Sequence, residues 1–374
     1  MRRLRRRMMS PGVVAAVALV LARPAFSQSV FDVGARVAPQ FNSYSIGTPS
    51  NTKISEFALP LFVLVPVNQH LSFDIGTSFA RSEVDQTTAG KTTTSTISGL
   101  TNTQLRGNYV LGNDFVVLTA GVNLPTGNST VTSQQQLAAS LIGSDFLSFP
   151  ISNMGTGFGG TGGIALARPM GDWNLGLGLS MRKSAQYDPY DVNGGPALHY
   201  QPGNEYRARA GLDRAVGTGR ATLGVTYSTF GNDNLAGSLY NTGNRWLSQA
   251  SVDNTLGVGH FSAYAWNLFR TRGTLADSSF LGHEDIIDGA LAYGVNVGPA
   301  LIEPNVEGRV WTQEGVSTSM LTTLGVRTQL NVMGFTILPS VGYSLGRLAA
   351  VDPGGLGTTA TLTGFHGALS IRLR

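Results

Sequence analysis

The chain contains no cysteine in 374 residues. That excludes a disulfide framework and a lipoprotein anchored through an N-terminal cysteine. Charge is sparse, at 13% of residues. After residue 27 no apolar run approaches the ~20 residues that a membrane helix requires, so a helical membrane protein is excluded. Aromatic and β-branched residues are too plentiful for a disordered chain. No segment recurs at a fixed period, which argues against a secreted β-helix or an array of repeats.

What is present begins with a leader. Arg2, Arg3, Arg5, Arg6 and Arg7 precede an apolar stretch at 12–22, and Ala25-Phe26-Ser27 sets small residues at −3 and −1 of a cleavage position before Gln28. The apolar stretch is too short to span a bilayer, so a cleaved signal over 1–27 is expected instead of an anchor, with a single domain over 28–374. The leader holds six arginines and no acid, which leaves 20 basic against 22 acidic residues and a net charge of −2 for the rest. The basic balance of the whole chain belongs to the leader and makes no case for nucleic-acid binding.

Residues 173–182 read Trp-Asn-Leu-Gly-Leu-Gly-Leu-Ser-Met-Arg, apolar at every odd position. The same alternation returns at 206–213 and 220–228. A strand turns successive side chains to opposite faces, so each stretch has one apolar face and one polar face. Many such strands behind a secretory leader predict an all-β, antiparallel, up-and-down barrel in an outer membrane of the Gram-negative type.

Strands are predicted near 30–42, 53–66, 70–83, 98–111, 114–123, 158–169, 172–184, 203–215, 219–230, 246–256, 259–272, 286–296, 300–312, 317–331, 334–347 and 359–373. That makes sixteen; fourteen is the alternative count. Short connections at 67–69, 112–113, 170–171, 216–218, 257–258, 297–299 and 332–333 alternate with longer ones at 43–52, 84–97, 124–157, 185–202, 231–245, 273–285 and 348–358. The connection at 313–316 is short where a long one is due. Short periplasmic turns and longer external loops are the rule for such barrels. Pro304 and Pro339 fall inside predicted strands, where each removes a ladder donor and predicts a local bulge.

The apolar face includes Phe73, Ile75, Leu175, Leu177, Leu179, Ala208, Leu212, Leu223, Val225, Leu291, Val326, Val341 and Leu369. The polar face carries Arg36, Asp74, Arg106, Arg182, Arg207, Arg209, Asp213, Arg220, Asp253, Asp288, Glu303, Glu307, Arg309, Arg327 and Arg372. A charge turned into lipid at mid-height costs ~2–4 kcal/mol, so these residues are expected to face a lumen. Arg207, Arg209 and Arg220 are predicted to be neighbours on a hairpin. Bracing pairs with Asp213, Glu303 and Glu307 are the expectation for the arginines; a positive rung favouring anionic solutes is the alternative. Tyr109, Trp173, Tyr206, Tyr227, Phe335 and Tyr343 are candidates for interfacial girdles. Two strands, 57–65 and 262–269, are apolar on both faces. These suit a hydrophobic solute in the lumen, or packing against an inward loop or a second subunit.

The longest connection, 124–157, is the candidate constriction. Leu137, Leu141, Ile142, Phe146 and Leu147 recur there at roughly helical spacing, and a connection of this length usually carries function.

Signals for catalysis are weak. The run 155–160 fits G-x-G-x-x-G, but a strand is expected after it and not the helix that a dinucleotide site needs. His70, His199, His260, His283 and His366 lack ligand spacing. The runs 283–285 and 232–234 could touch a divalent ion, as could any polar loop tip. No nucleophile has a base evident in sequence. No enzyme activity, catalytic residue, metal or cofactor is expected.

The run Gly121-Val122-Asn123-Leu124-Pro125-Thr126-Gly127 closes a strand just before the long loop. It resembles the Leu-Pro-Thr-Gly element of outer-membrane proteins associated with the meta-cleavage pathway of phenol degradation, distant relatives of the long-chain fatty-acid channels. The resemblance covers this motif and its flanks, and implies passage of aromatic or hydrophobic small molecules. Strand one is expected to begin within a few residues of the cleavage position, leaving no room for the N-terminal plug of the fatty-acid channels. The last residues are Ile371-Arg372-Leu373-Arg374, where barrels commonly end on an aromatic.

The expectation is therefore a passive outer-membrane channel for small solutes, favouring hydrophobic or aromatic compounds. The alternative is a structural or adhesive barrel with a closed lumen and partner-binding loops. Membrane lipid and small solutes are the expected partners; the oligomeric state stays open.

Overall fold

The computed structural model describes residues 34–48, 51–191, 195–350 and 358–373. The expected leader and most of the 348–358 loop lie outside these residues. Sixteen antiparallel strands follow one another around a closed sheet. They are β1 (Gly34–Val37 and Gln40–Ile46), β2 (Thr52–Pro66), β3 (Leu71–Thr88), β4 (Lys91–Leu100 and Thr103–Leu111) and β5 (Val116–Leu124). After a long loop come β6 (Gly159–Met170), β7 (Trp173–Ser184), β8 (Glu205–Val216), β9 (Gly219–Phe230), β10 (Arg245–Leu256) and β11 (Gly259–Arg270). The circle is completed by β12 (Glu284–Val297), β13 (Ala300–Gln313), β14 (Val316–Val332), β15 (Phe335–Ala350) and β16 (Thr358–Leu373). β16 pairs with β1, Arg36 lying opposite Arg372 and Tyr44 opposite Gly364, so the sheet has no free edge.

One end of the barrel is made of tight turns. Gly171, Gly217, Gly257 and Gly298 have φ near +60° and precede a residue of ordinary φ, the type II′ pattern that matches strand twist. Met333-Gly334 has positive φ at both positions (48° and 82°), as type I′ requires. By the rule of short periplasmic turns, this end faces the periplasm and the long loops lie outside.

Each of the sixteen predicted strands is present, and the differences lie at their ends. The predicted loop 84–97 is instead a hairpin that turns through Ala89 (φ 51°) and Gly90 (φ 78°). Its outward residues Arg81, Glu83, Asp85 and Thr94 are polar, so the hydropathy alternation ends while the ladder continues. The predicted loop 43–52 likewise shrinks, because β1 runs to Ile46. Pro304 and Pro339 produce no bulge. The β12–β13 ladder skips the pairs beside Pro304, and the β14–β15 ladder those beside Pro339, yet both resume in register. A missing N–H removes a bond without inserting a residue. The register shift on β13 lies between Trp311 and Gln313.

Register separates the two faces. Leu177 lies opposite Leu166 and Ala210, and Leu179 opposite Ile164 and Ala208, forming an outward apolar belt in which Leu179 is 63% exposed. Arg168 and Arg214 below, and Lys183 above, are outward charges that bound this belt. Tyr109, Trp173 and Phe335 lie at its periplasmic edge. Tyr206, Tyr227 and Tyr343 lie at its outer edge, where Tyr227 packs on Trp246 with ring centroids 4.5 Å apart. Such a belt between aromatic girdles is the surface that hydrocarbon covers. The wall is uneven in height: β6–β11 have 12 residues each, whereas β3 has 18.

Replacing Leu179 by Arg places a cation in the middle of the belt. The expected loss is ~2–4 kcal/mol of folding free energy in lipid vesicles, read from denaturant titration, with little effect from the same change at Ser180, which faces the lumen.

Candidate functional site: an inward loop facing an arginine-lined gap

The connection between β5 and β6, residues 125–158, folds into the barrel. Its base is a clasp between two glycine-bearing runs. Asn102, at the break within β4, accepts a bond from the Gly127 N–H (3.2 Å) and donates to the Thr156 carbonyl (2.5 Å). Thr126 donates to the Thr101 carbonyl, and Asn123 to the Gly157 carbonyl. A Cβ on Gly127 would run into the Met154 carbonyl and the Asn102 nitrogen, so only glycine permits this approach. The Leu-Pro-Thr-Gly element and the G-x-G-x-x-G match are thus two halves of one hinge-like seat, and β6 follows the second of them.

Beyond the clasp, α1 (Gln136–Ile142) buries Ala138 and Ile142, one turn apart. Phe146, Leu147, Phe149 and Met154 continue the apolar surface into a cluster with Ile54, Val84, Ile97, Leu321 and Leu362 of the lumen wall. Leu137 and Leu141 are half-buried against it. Ala58, Ala80 and Ala360 make room for the loop on the wall side, and Phe149 meets Tyr44 edge-on at 5.5 Å. Each large side chain fully buried here contributes ~1.5–3 kcal/mol. The predicted apolar inner face of β2 is explained in part, since Ala58 lies under the loop while Phe62 and Leu64 remain open to the lumen.

Polar latches fix the seat. Glu56, fully buried, accepts from the Ile151 N–H (2.9 Å) and the Ser82 hydroxyl (2.8 Å). Arg309 donates to the Phe146 carbonyl (2.8 Å), to Asp288 (2.6 Å) and to Glu307 (2.9 Å), and lies over Trp266. Ser95 donates to the Gln134 carbonyl. A buried carboxylate and a buried guanidinium, each holding a loop backbone group, place the loop far more firmly than apolar contact alone.

The loop covers the lumen side of β1–β4, β13, β14 and β16. On the opposite side a cavity of about 380 Å³ remains against β4–β8. Its floor is made of small residues, among them Gly121, Gly163, Gly178, Thr161 and Ser180, and arginines stand around it. Arg106 is tied to Asp74 (2.9 Å) and Arg207 to Glu205. Among the described residues, Arg182 and Arg209 have no carboxylate partner. Of the predicted pairings, Asp213 holds Arg220 as expected, whereas Glu303 holds Arg327 and Glu307 holds Arg309 in place of Arg207 and Arg209. Arg220 is not a neighbour of Arg207 and Arg209. It lies opposite Ala215 and Asp253 at the periplasmic end, because the turn comes at 217–218. Arg36 bonds Ser370 at the same end.

Outside, the loop joins its neighbour at 185–204. Tyr190 and Asp191 pair in parallel with Val131 and Thr132. Tyr187 meets Tyr200 edge-on at 5.4 Å, and burial pushes the Tyr187 hydroxyl up to about 12, so it stays neutral. The Arg272 guanidinium and His283 hold the Glu314 carboxyl below the usual carboxylate range at another point of the mouth. Glu284 binds Arg270 and Asp285 accepts from Asn267, so the run 283–285 is spread over separate contacts. The sequence did not expose the Glu56 latch; a lone acid between apolar residues of β2 was the available signal.

No protein-family model matches the chain, and no curated protein matches it in sequence. Among solved structures it is similar to OprB of Pseudomonas putida, at 10% identity over 97% of each chain with a TM-score of 0.49. It is also similar to an anion-selective porin from Comamonas acidovorans, at 10% identity over 92% of this chain and 100% of that one (TM-score 0.42). An outer-membrane channel from Pseudomonas putida F1 matches at 11% identity over 94% and 99% of the two chains (TM-score 0.41). These likenesses concern the barrel fold.

Gly127→Ala is expected to prise the clasp apart while leaving the barrel closed. Limited digestion with chymotrypsin should then cut near Phe146 and Phe149 about tenfold faster than in the parent chain, as a loosened local seat requires.

Proposed function

We propose that the protein is a passive channel across an outer membrane, passing small solutes down their gradients with a preference for apolar and aromatic ones. The half-filled lumen carries this reading. A latched loop occupies one side, and the other keeps an open space with ionised groups turned toward it, an arrangement that suits water and solute better than packing. The preference is supported by Phe62, Leu64, Tyr264, Trp266 and Leu268, which face the lumen without being covered by the loop. Lumen walls of this kind favour a solute with apolar surface, since each apolar Å² removed from water gains about 25 cal/mol. Constriction by the loop that Leu137, Leu141, Ile142, Phe146 and Leu147 seat on the wall belongs to the same proposal.

Purified protein in a planar bilayer should give stepwise currents, and proteoliposomes should admit small aromatic alcohols faster than sugars of similar size. A bilayer without current steps would favour the structural or adhesive reading. Replacing Arg207 and Arg209 together by Ala should move the zero-current potential toward cation selectivity; an unchanged potential would remove the arginines from ion discrimination.

A further inference from the structure

Deepening the channel reading, on which it rests, we propose that the open side of the lumen binds a small aromatic carboxylate, its carboxylate on Arg209 and its ring on Leu247 and Leu268. Three observations converge. Arg209 is exposed in the cavity and, among the described residues, has no acidic partner, whereas its neighbour Arg207 is neutralised by Glu205. At the height of Arg209 one free guanidinium beside a neutral pair suits a monoanion; a dianion would meet repulsion from Glu205. The second observation is the ladder row. Arg209 lies opposite Thr226, Thr226 opposite Leu247, and Leu247 opposite Leu268, all on the lumen face. With strands 4.7–4.9 Å apart, the row passes from cation to aliphatic surface within ~10 Å, about the length of a phenylacetate. Leu247 and Leu268 are only half-buried, so this surface is open to a ligand.

The third observation is the missing side chain opposite Arg209. That residue is Gly178, where a Cβ would find only ordinary contacts, 3.7 Å from the Ile164 carbonyl and 3.8 Å from the Arg209 Cβ. Nothing in the backbone there demands glycine, and its effect is to keep the floor beneath the guanidinium empty. Arg182, four residues further out on β7 and also free of carboxylate, supplies a second cation nearer the mouth. An aromatic anion arriving from outside thus meets Arg182 before Arg209, and its ring then lies against the leucines. Acetate lacks the apolar part and benzyl alcohol lacks the charge, so each should hold less well.

The test is single-channel recording with sodium benzoate, sodium acetate or benzyl alcohol added to the outer side. Benzoate should interrupt the current at a concentration about tenfold lower than either of the others. Arg209→Gln should abolish the advantage of benzoate over benzyl alcohol, and Arg209→Lys should keep part of it. Leu247→Ser with Leu268→Ser should reduce benzoate to the level of acetate. Gly178→Leu should remove benzoate interruption and lower the conductance. Heat-dependent electrophoretic migration checks that each variant is folded. Current steps with benzoate no stronger than acetate or benzyl alcohol, or unaltered in Arg209→Gln, would overturn the carboxylate site and leave the channel standing. A silent bilayer from folded protein would overturn the channel reading and this site with it.

Discussion

An ionised side chain cannot be left facing hydrocarbon without a cost of several kcal/mol, and the architecture follows from that constraint. Side chains alternate along a strand, so one arginine placed inward assigns the direction of every residue on its strand, and the ladder passes that choice to both neighbours. Closure of β16 on β1 carries the assignment around the barrel and satisfies the backbone groups that lipid could not. Outward charges at Arg168, Arg214 and Lys183 fall at the borders of the belt, where water is within reach.

The same constraint creates the need for an inner occupant. A sixteen-strand barrel is too wide for wall side chains to fill, so its bore holds water or is partly blocked by another part of the chain. Here the loop at 125–158 supplies the block, and its seat is asymmetric. The tall part of the wall offers Ile54, Val84, Ile97 and Leu362, with alanines giving clearance; the low part offers glycines and arginines. Glu56 and Arg309 help to fix which side the loop takes, since each is buried with a loop backbone group among its hydrogen-bond partners. What stays open is thus the basic side. The arginines that brace the wall and those left open to the lumen can be told apart by whether a carboxylate lies within reach.

Much of the barrel was legible in the sequence. Alternation over β7, β8 and β9 is clean because one face meets lipid and the other water, and the glycines of the periplasmic turns mark where the chain reverses. The legibility ends where that contrast ends. In the hairpin around Ala89-Gly90 both faces are polar or covered by the loop, so pattern reports a connection although the backbone is paired. The loop core was visible as Leu137, Ile142, Phe146 and Leu147, because a helical apolar stripe needs a partner surface. The direction of that surface was not visible, as it depends on Glu56 and Arg309, which lie 95 and 163 residues from the groups they hold. Pairing among charges was less legible: the expected turn at 216–218 already sets Arg220 beside 215 and away from Arg207 and Arg209, but which carboxylate each lumen arginine takes was hidden, because several share one face.

The absence of native cysteine makes the decisive measurement direct. Single cysteines introduced in turn at 205–213 of β8, in protein reconstituted into vesicles, can be challenged with a charged, membrane-impermeant thiol reagent. The account predicts alternation, with fast modification at 207, 209 and 211 and protection at 206, 208, 210 and 212. Uniform reactivity along the strand, or the opposite alternation, would contradict it.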